Sequence, residues 1–105
     1  MTKRFGLTEI TIEKINEIFA KYPQVEKVVL YGSRAKGNYK NGSDIDLTLF
    51  GHGLDIDLLH KILNDLEDLL LPYTIDLSIF EKIDKVSNSD FVEHIDRVGV
   101  IFYKN

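Results

Sequence analysis

The strongest candidates for catalytic or metal-binding residues in this 105-residue chain are three aspartates on two similar segments. Asp44 and Asp46 flank the start of the segment Ile45–Phe50 (IDLTLF), and Asp76 lies at the start of Ile75–Phe80 (IDLSIF). The two segments match position for position, 30 residues apart. Because side chains alternate along a strand, the match predicts two strands with the same facing, apolar on one side and acidic at the start of the other.

The topology predicted between these segments should bring the acids together. A helical stretch separates them, and a β-α-β crossover joins parallel strands, so neighbouring strands would place Asp46 and Asp76 about 5 Å apart. The preceding strand, Val25–Tyr31, is joined to the first segment by a short turn, which favours an antiparallel pair. That pairing would bring the turn residues Gly32 and Ser33 to the same edge.

Ionised carboxylates at that spacing repel one another, and a nearby positive charge is needed to offset the repulsion. At an effective dielectric of 20, each pair repels by about 3 kcal/mol. Divalent metal ions take oxygen ligands and can share carboxylates, so they are the natural compensation. Taken singly, Asp44 or Asp46 could equally be a solvated strand-end residue, with Asp44 capping the turn before it; the whole set favours the metal.

The run Gly32–Gly37 (GSRAKG), followed by Ser43–Leu47 (SDIDL), resembles the signature of the DNA polymerase β-like nucleotidyltransferase superfamily. In that signature Gly-Ser ends a strand, a spacer of about ten residues follows, and Asp-x-Asp lies on the next strand. A third Asp lies on a later strand, which Asp76 matches. The small size and the extended Gly-Ser motif are similar to the minimal nucleotidyltransferase (MNT) subgroup.

This resemblance implies a role for each acid. Asp44 and Asp46 would bind two Mg²⁺ ions, or another divalent cation in their place, and Asp76 would complete the site of one of them. Asp76 would also help to deprotonate the acceptor hydroxyl. The metals would hold the triphosphate of ATP or another NTP.

The resemblance also implies a nucleotide-binding turn. Gly32 would allow close approach of the backbone, and the Ser33 hydroxyl with nearby N–H groups would grip the β- and γ-phosphates. Arg34 is a further nucleotide-binding candidate that could reach a phosphate or simply be solvated. Lys36 is a weaker candidate than Arg34 for the same role.

The implied activity is transfer of a nucleoside monophosphate, AMP from ATP, to a hydroxyl. Two acceptor classes are open: a small molecule, as in aminoglycoside nucleotidyltransferases, or a tyrosine of a small all-helical HEPN-domain toxin, as in MNT antitoxins. We favour the second, because no segment is left over for a small-molecule domain; for the same reason we expect no nucleic-acid template. The other class of function is a nucleotide-binding or antitoxin subunit that acts by occlusion, with Phe50 and Phe80 as an apolar contact surface.

The elements that must position these residues alternate in type. The pattern predicts a mixed α/β fold, with a mixed β-sheet and helices on one face. The resemblance implies that this is the polymerase β-like nucleotidyltransferase fold. Helices are predicted from Thr8 or Thr11 to about Tyr22, from Asp55 to about Leu71, and from Ser87 or Ser89 to about Val98. Strands are predicted over Val25–Tyr31, Ile45–Phe50, Tyr73–Phe80 and Val100–Tyr103.

Composition narrows the class of protein. The length predicts a single domain over residues 1–105, and the absence of Cys excludes a disulfide framework or a thiol nucleophile. A net charge of −4 argues against sequence-independent binding of nucleic acid. With no apolar run of membrane length, we expect a cytoplasmic protein.

His52, His60 and His94 lack metal-ligand spacing and are predicted to lie on the surface or on a helix face.

Overall fold

The computed structural model describes residues 3–40, 42–80 and 89–105. The helices in these ranges are α1 (Glu9–Ala20), α2 (Ser33–Lys36), α3 (Ile56–Glu67) and α4 (Ser89–Val98). The strands are β1 (Lys3–Arg4), β2 (Leu7–Thr8), β3 (Val25–Tyr31), β4 (Ile45–Gly51), β5 (Ile75–Ile79) and β6 (Val100–Lys104). The predicted order is confirmed, and the short β1–β2 hairpin adds to it. Among the described residues, no helix is long and apolar enough to cross a membrane.

The main sheet has the strand order β5-β4-β3-β6. Strand β3 is antiparallel to both β4 and β6, whereas β4 and β5 are parallel. In the parallel pair Asp46 lies opposite Asp76, and Thr48 lies opposite Ser78. The repeated sequence pattern therefore corresponds to two neighbouring strands in matching register, as predicted.

One face of the sheet carries the apolar core. Alternate residues of β3, β4 and β5 pack there against α1 and α3, and the buried residues of this cluster include Ile15, Phe19, Leu30, Leu47, Leu49, Ile62, Leu66 and Leu77. The opposite face carries Tyr31 and Asp46, which are register partners. Helix α4 contacts β3 on this second face, where the His94 ring meets Tyr31. The predicted placement of helices on one face is thus confirmed for α1 and α3 and incomplete for α4.

Side-chain caps fix where α1 and α3 begin. Thr8 Oγ1 accepts the Thr11 N–H at 3.2 Å, and Asp55 Oδ1 accepts the Leu58 N–H at 2.8 Å. Both caps satisfy backbone donors that have no partner within the helix.

Helix α3 ends at Glu67, four residues before the predicted end at Leu71. Leu70 has a φ of 54° and is 88% exposed, so it lies outside both the helix and the core although it falls within the predicted helix. Pro72 disfavours helical backbone in the residue before it, which contributes to the early exit of the chain. The possible α4 start at Ser87 lies outside the described residues.

Candidate active site

Two carboxylates meet at the start of the parallel strand pair. Asp46 and Asp76 are register partners on β4 and β5, and Asp44 lies just before β4. The pKa of Asp46 is raised by burial, then by the negative charges of Asp76 and Asp44, while the positive charge of Arg34 lowers it. The structure therefore brings the predicted acids close enough for each to disfavour ionisation of Asp46.

The Gly-Ser turn lies against these acids. Gly32 follows β3 with φ 76° and ψ −156°, a combination open in practice only to glycine. A Cβ at this position would collide with Asp46 Oδ2, so glycine is also the residue that lets the carboxylate approach the turn. Ser33 then opens the single helical turn α2, which ends at Gly37 with a φ of 87°.

Arg34 is buried and makes its hydrogen bonds to the backbone. Its side chain is 3% exposed, and its guanidinium donates to Ser43 O from Nε and Nη2 at 3.1 and 2.9 Å and to Phe5 O from Nη1 at 2.7 Å. It also lies over the rings of Tyr39 and Tyr73, at 5.2 and 4.9 Å from their centroids. Three of its N–H donors are thus directed to backbone carbonyl oxygens, and this is a structural role that the sequence did not predict for Arg34.

Lys36 is the basic residue of the turn that remains exposed. It is the last residue of α2, two positions beyond Arg34. Lys36 is therefore the more accessible of the two basic residues.

Tyr31 also lies at this site. It ends β3 opposite Asp46. Burial, together with the charges of Asp76 and Asp46, raises the pKa of its phenol. Tyr31 therefore lies beside the acids as a neutral, partly buried group.

His94 is the residue that sequence reasoning missed. Its Nε2 accepts the Gly32 N–H at 3.3 Å, and its ring meets Tyr31 edge-on with centroids 6.2 Å apart. The sequence held one indication of this position. The helix that contains His94 leads directly into the edge strand β6, so the end of the helix must lie near the sheet. By contrast, His52 and His60 are exposed, as predicted.

The aspartate carboxylates of this site suit a hard cation such as Mg²⁺, although they do not yet form a complete ligand set. Among residues 3–40, 42–80 and 89–105, no three Asp, Glu or His side chains are already grouped as metal ligands. Asp46 and Asp76 nevertheless present neighbouring carboxylates, and burial followed by the charges of Asp76 and Asp44 raises the pKa of Asp46. Carboxylate oxygen is the ligand that Mg²⁺ prefers, so these residues fit that ion.

Comparisons with known proteins agree with this geometry. The family model described as "Polymerase beta, Nucleotidyltransferase" matches residues 13–105. A curated Methanocaldococcus jannaschii protein, named "Putative protein adenylyltransferase", is 32% identical over 97 residues, which are 87% of this chain and 92% of the relative.

Solved structures share the fold at lower identity. A toxin–antitoxin crystal structure with AMP-PNP superposes with a TM-score of 0.71 at 20% identity, covering 90% of this chain and 73% of that one. A tri-AMPylated Shewanella oneidensis HEPN toxin in complex with MNT antitoxin gives a TM-score of 0.66 at 17% identity, covering 92% and 72%.

Proposed function

The chain belongs to the polymerase beta nucleotidyltransferase family, and we propose that it transfers AMP from ATP to a tyrosine hydroxyl of a HEPN-type partner protein. The observation that carries the proposal is the in-register placement of Asp46 and Asp76 beside the Gly32-Ser33 turn. The name of the 32%-identical relative supports a protein acceptor. The AMPylated HEPN toxin held by a protein of the same fold supports the partner.

The cofactor in this proposal is a pair of Mg²⁺ ions held by Asp44, Asp46 and Asp76. Bound there, the ions would neutralise phosphate charge and stabilise the leaving pyrophosphate. The chain itself supplies the carboxylates and holds two of them in register on neighbouring strands.

The turn after β3 holds the phosphates in this proposal. Gly32 has no side chain to obstruct their approach, and the Ser33 hydroxyl and the exposed Lys36 ammonium donate to the β- and γ-phosphates. Arg34 acts indirectly, by fixing Ser43 next to Asp44.

The transfer step is a displacement at the α-phosphorus. The acceptor oxygen forms a bond to that phosphorus, the bond to pyrophosphate breaks, and the hydroxyl proton passes to a carboxylate oxygen of Asp76. The products are AMP-tyrosine and pyrophosphate.

A second candidate is a nucleotide-binding subunit that occludes its partner with little catalysis. The observation that favours it is the stacked and half-buried pair Phe50 and Phe80 at the far end of the parallel strands, which offers an apolar contact surface to a partner. The two candidates share the fold and the partner and differ in what the acids do.

Label transfer from ATP distinguishes the two candidates. We expect wild type, Mg²⁺ and a HEPN-type partner to give a partner labelled from α-³²P-ATP, with an AMP adduct on tyrosine by mass analysis. The double variant Asp44→Asn plus Asp46→Asn should lower the rate by at least about 10³-fold, as loss of charge-stabilising groups does in active sites.

A charge-matched control is available on α3. Asp57 and Asp68 are exposed, and their double Asn variant removes the same charge while leaving transfer unchanged. Labelling by the Asp44/Asp46 variant at the wild-type rate, or no labelling by wild type, would overturn the catalytic proposal. In the second case, retained partner binding would support occlusion.

A further inference from the structure

Helix α4 touches the nucleotide-binding turn through one side chain. His94 Nε2 accepts the Gly32 N–H at 3.3 Å, and the ring also lies edge-on to Tyr31. One side chain thereby contacts both the glycine of the turn and the residue that lies opposite Asp46.

The glycine that His94 contacts holds an uncommon backbone conformation. With φ 76° and ψ −156°, Gly32 persists in this form only where its surroundings fix it. Asp46 Oδ2 occupies the space where a Cβ would lie, and His94 takes the N–H. These two contacts act on the same residue, and the first involves a proposed metal ligand.

We propose that His94 is a positioning residue of the nucleotide site, which holds the Gly32-Ser33 turn against Asp46 by accepting the Gly32 N–H. The inference rests on the proposed function, because it assigns the turn to the phosphates. His94 acts through Gly32 and does not touch the reacting atoms. Its contribution is to keep Ser33 in the place where the phosphates bind.

Three substitutions separate the hydrogen bond from the packing. His94→Ala removes both the acceptor and the ring, and His94→Phe keeps a ring against Tyr31 without an acceptor. His94→Gln supplies an acceptor at a comparable reach without a titrating group. We expect affinity for Mg²⁺·AMP-PNP to fall about 3- to 10-fold in the Ala and Phe variants, the size of one lost hydrogen bond. The Gln variant should remain within about 2-fold of wild type.

The experiment is calorimetric titration of each full-length variant with Mg²⁺·AMP-PNP, with KM and kcat for labelling measured alongside. KM for ATP should rise in the Ala and Phe variants with little change in kcat. His60→Ala is the matched control, because His60 is an exposed histidine on α3. Unchanged affinity in His94→Ala, or equal losses in the Gln, Phe and Ala variants, would overturn the inference.

Hydrogen exchange of the Gly32 amide tests the role of His94 without any nucleotide, so its result does not depend on the proposed function. We expect the Gly32 N–H to exchange slowly in wild type and His94→Gln, and faster in His94→Ala. If wild type binds no nucleotide, the proposed function fails, and Gly32 exchange decides by itself whether His94 holds the turn. Equal exchange in wild type and His94→Ala would overturn the positioning role.

Discussion

The two ends of the β4–β5 pair share one register and have opposite chemistry. At the start of the strands, Asp46 lies opposite Asp76. At the far end, Phe50 and Phe80 stack with ring centroids 4.4 Å apart and planes 21° from parallel. Lys27 Nζ lies 4.6 Å from the Phe50 centroid. The same strand spacing therefore produces repulsion at one end and attraction at the other.

This contrast shows where the stability of the strand pair originates. Stacked aromatic rings contribute about 0.5–1.5 kcal/mol beyond their burial, whereas the raised pKa of Asp46 reports an unfavourable environment for its charge. A slip of one residue would move every apolar side chain to the wrong face, so the core and the aromatic end fix the register. Asp46 and Asp76, at the acidic end of the pair, are therefore held close together by the packing of the core and of the aromatic end.

Arg34 is the main support beneath the acidic end, and its loss should have the largest effect on stability. Arg34→Met would leave Ser43 O and Phe5 O without their guanidinium donor. Since an unsatisfied buried polar group costs about 1–3 kcal/mol, we expect the free energy of unfolding to fall by about 2–5 kcal/mol in urea titrations.

Arg34→Lys sharpens the test. It keeps the charge but cannot direct a planar fork of donors to two carbonyl oxygens, so we expect a loss between wild type and Arg34→Met. Weaker nucleotide binding in Arg34→Met with unchanged stability would instead support Arg34 as a phosphate ligand.

Phe50→Ala tests the aromatic end and should have the next largest effect. Loss of a half-buried ring and its stacking should lower the free energy of unfolding by about 1–3 kcal/mol. AMP transfer per folded molecule should stay near wild type, because Phe50 lies four residues along β4 from Asp46. Chemical denaturation and labelling at a temperature where the variant is fully folded check both expectations.

Phe50→Leu is the control, because it retains apolar volume while removing the ring stack. Unchanged stability of Phe50→Ala with weakened partner binding would contradict this view of the aromatic end. The stacked rings would then be a contact surface for the partner, as the occlusion alternative requires.

The sequence predicted the strand pair and the meeting of its acids because short-range rules suffice for both. A period of two residues places Asp46 and Asp76 on one face, and the β-α-β connection makes their strands parallel. Matching patterns in Ile45–Phe50 and Ile75–Phe80 then specify the register that the structure shows.

The residues that support the site were beyond the sequence because their partners are remote backbone atoms. Arg34 donates to Phe5 O, in a hairpin whose strands of two residues are too short for a periodic signal. His94 accepts from an N–H that lies 62 positions away. Such contacts depend on the final packing of elements. From the sequence alone, Arg34 was a phosphate ligand or a solvated residue, and His94 was a residue of the surface or of a helix face.

The ionised form of Asp46 should lower the free energy of unfolding, and this effect can be measured directly. Burial and the neighbouring carboxylates hold the pKa of Asp46 in the folded protein above its value in the unfolded chain. The folded state therefore binds this proton more tightly, and ionisation of Asp46 costs stability as the pH rises through the folded pKa. Below the unfolded pKa of about 3.9 both states are protonated and the cost disappears.

Asp46→Asn should consequently raise the free energy of unfolding at pH 7.5, by up to about 1 kcal/mol because the group is partly solvated. The gain should shrink towards pH 4, as measured by urea unfolding at both pH values in EDTA. Asp57→Asn, in the first turn of α3, removes a favourable charge at a helix start and should be slightly destabilising. A loss of stability in Asp46→Asn at pH 7.5 would mean that the carboxylate stabilises the fold, and the contrast between the two strand ends would not hold.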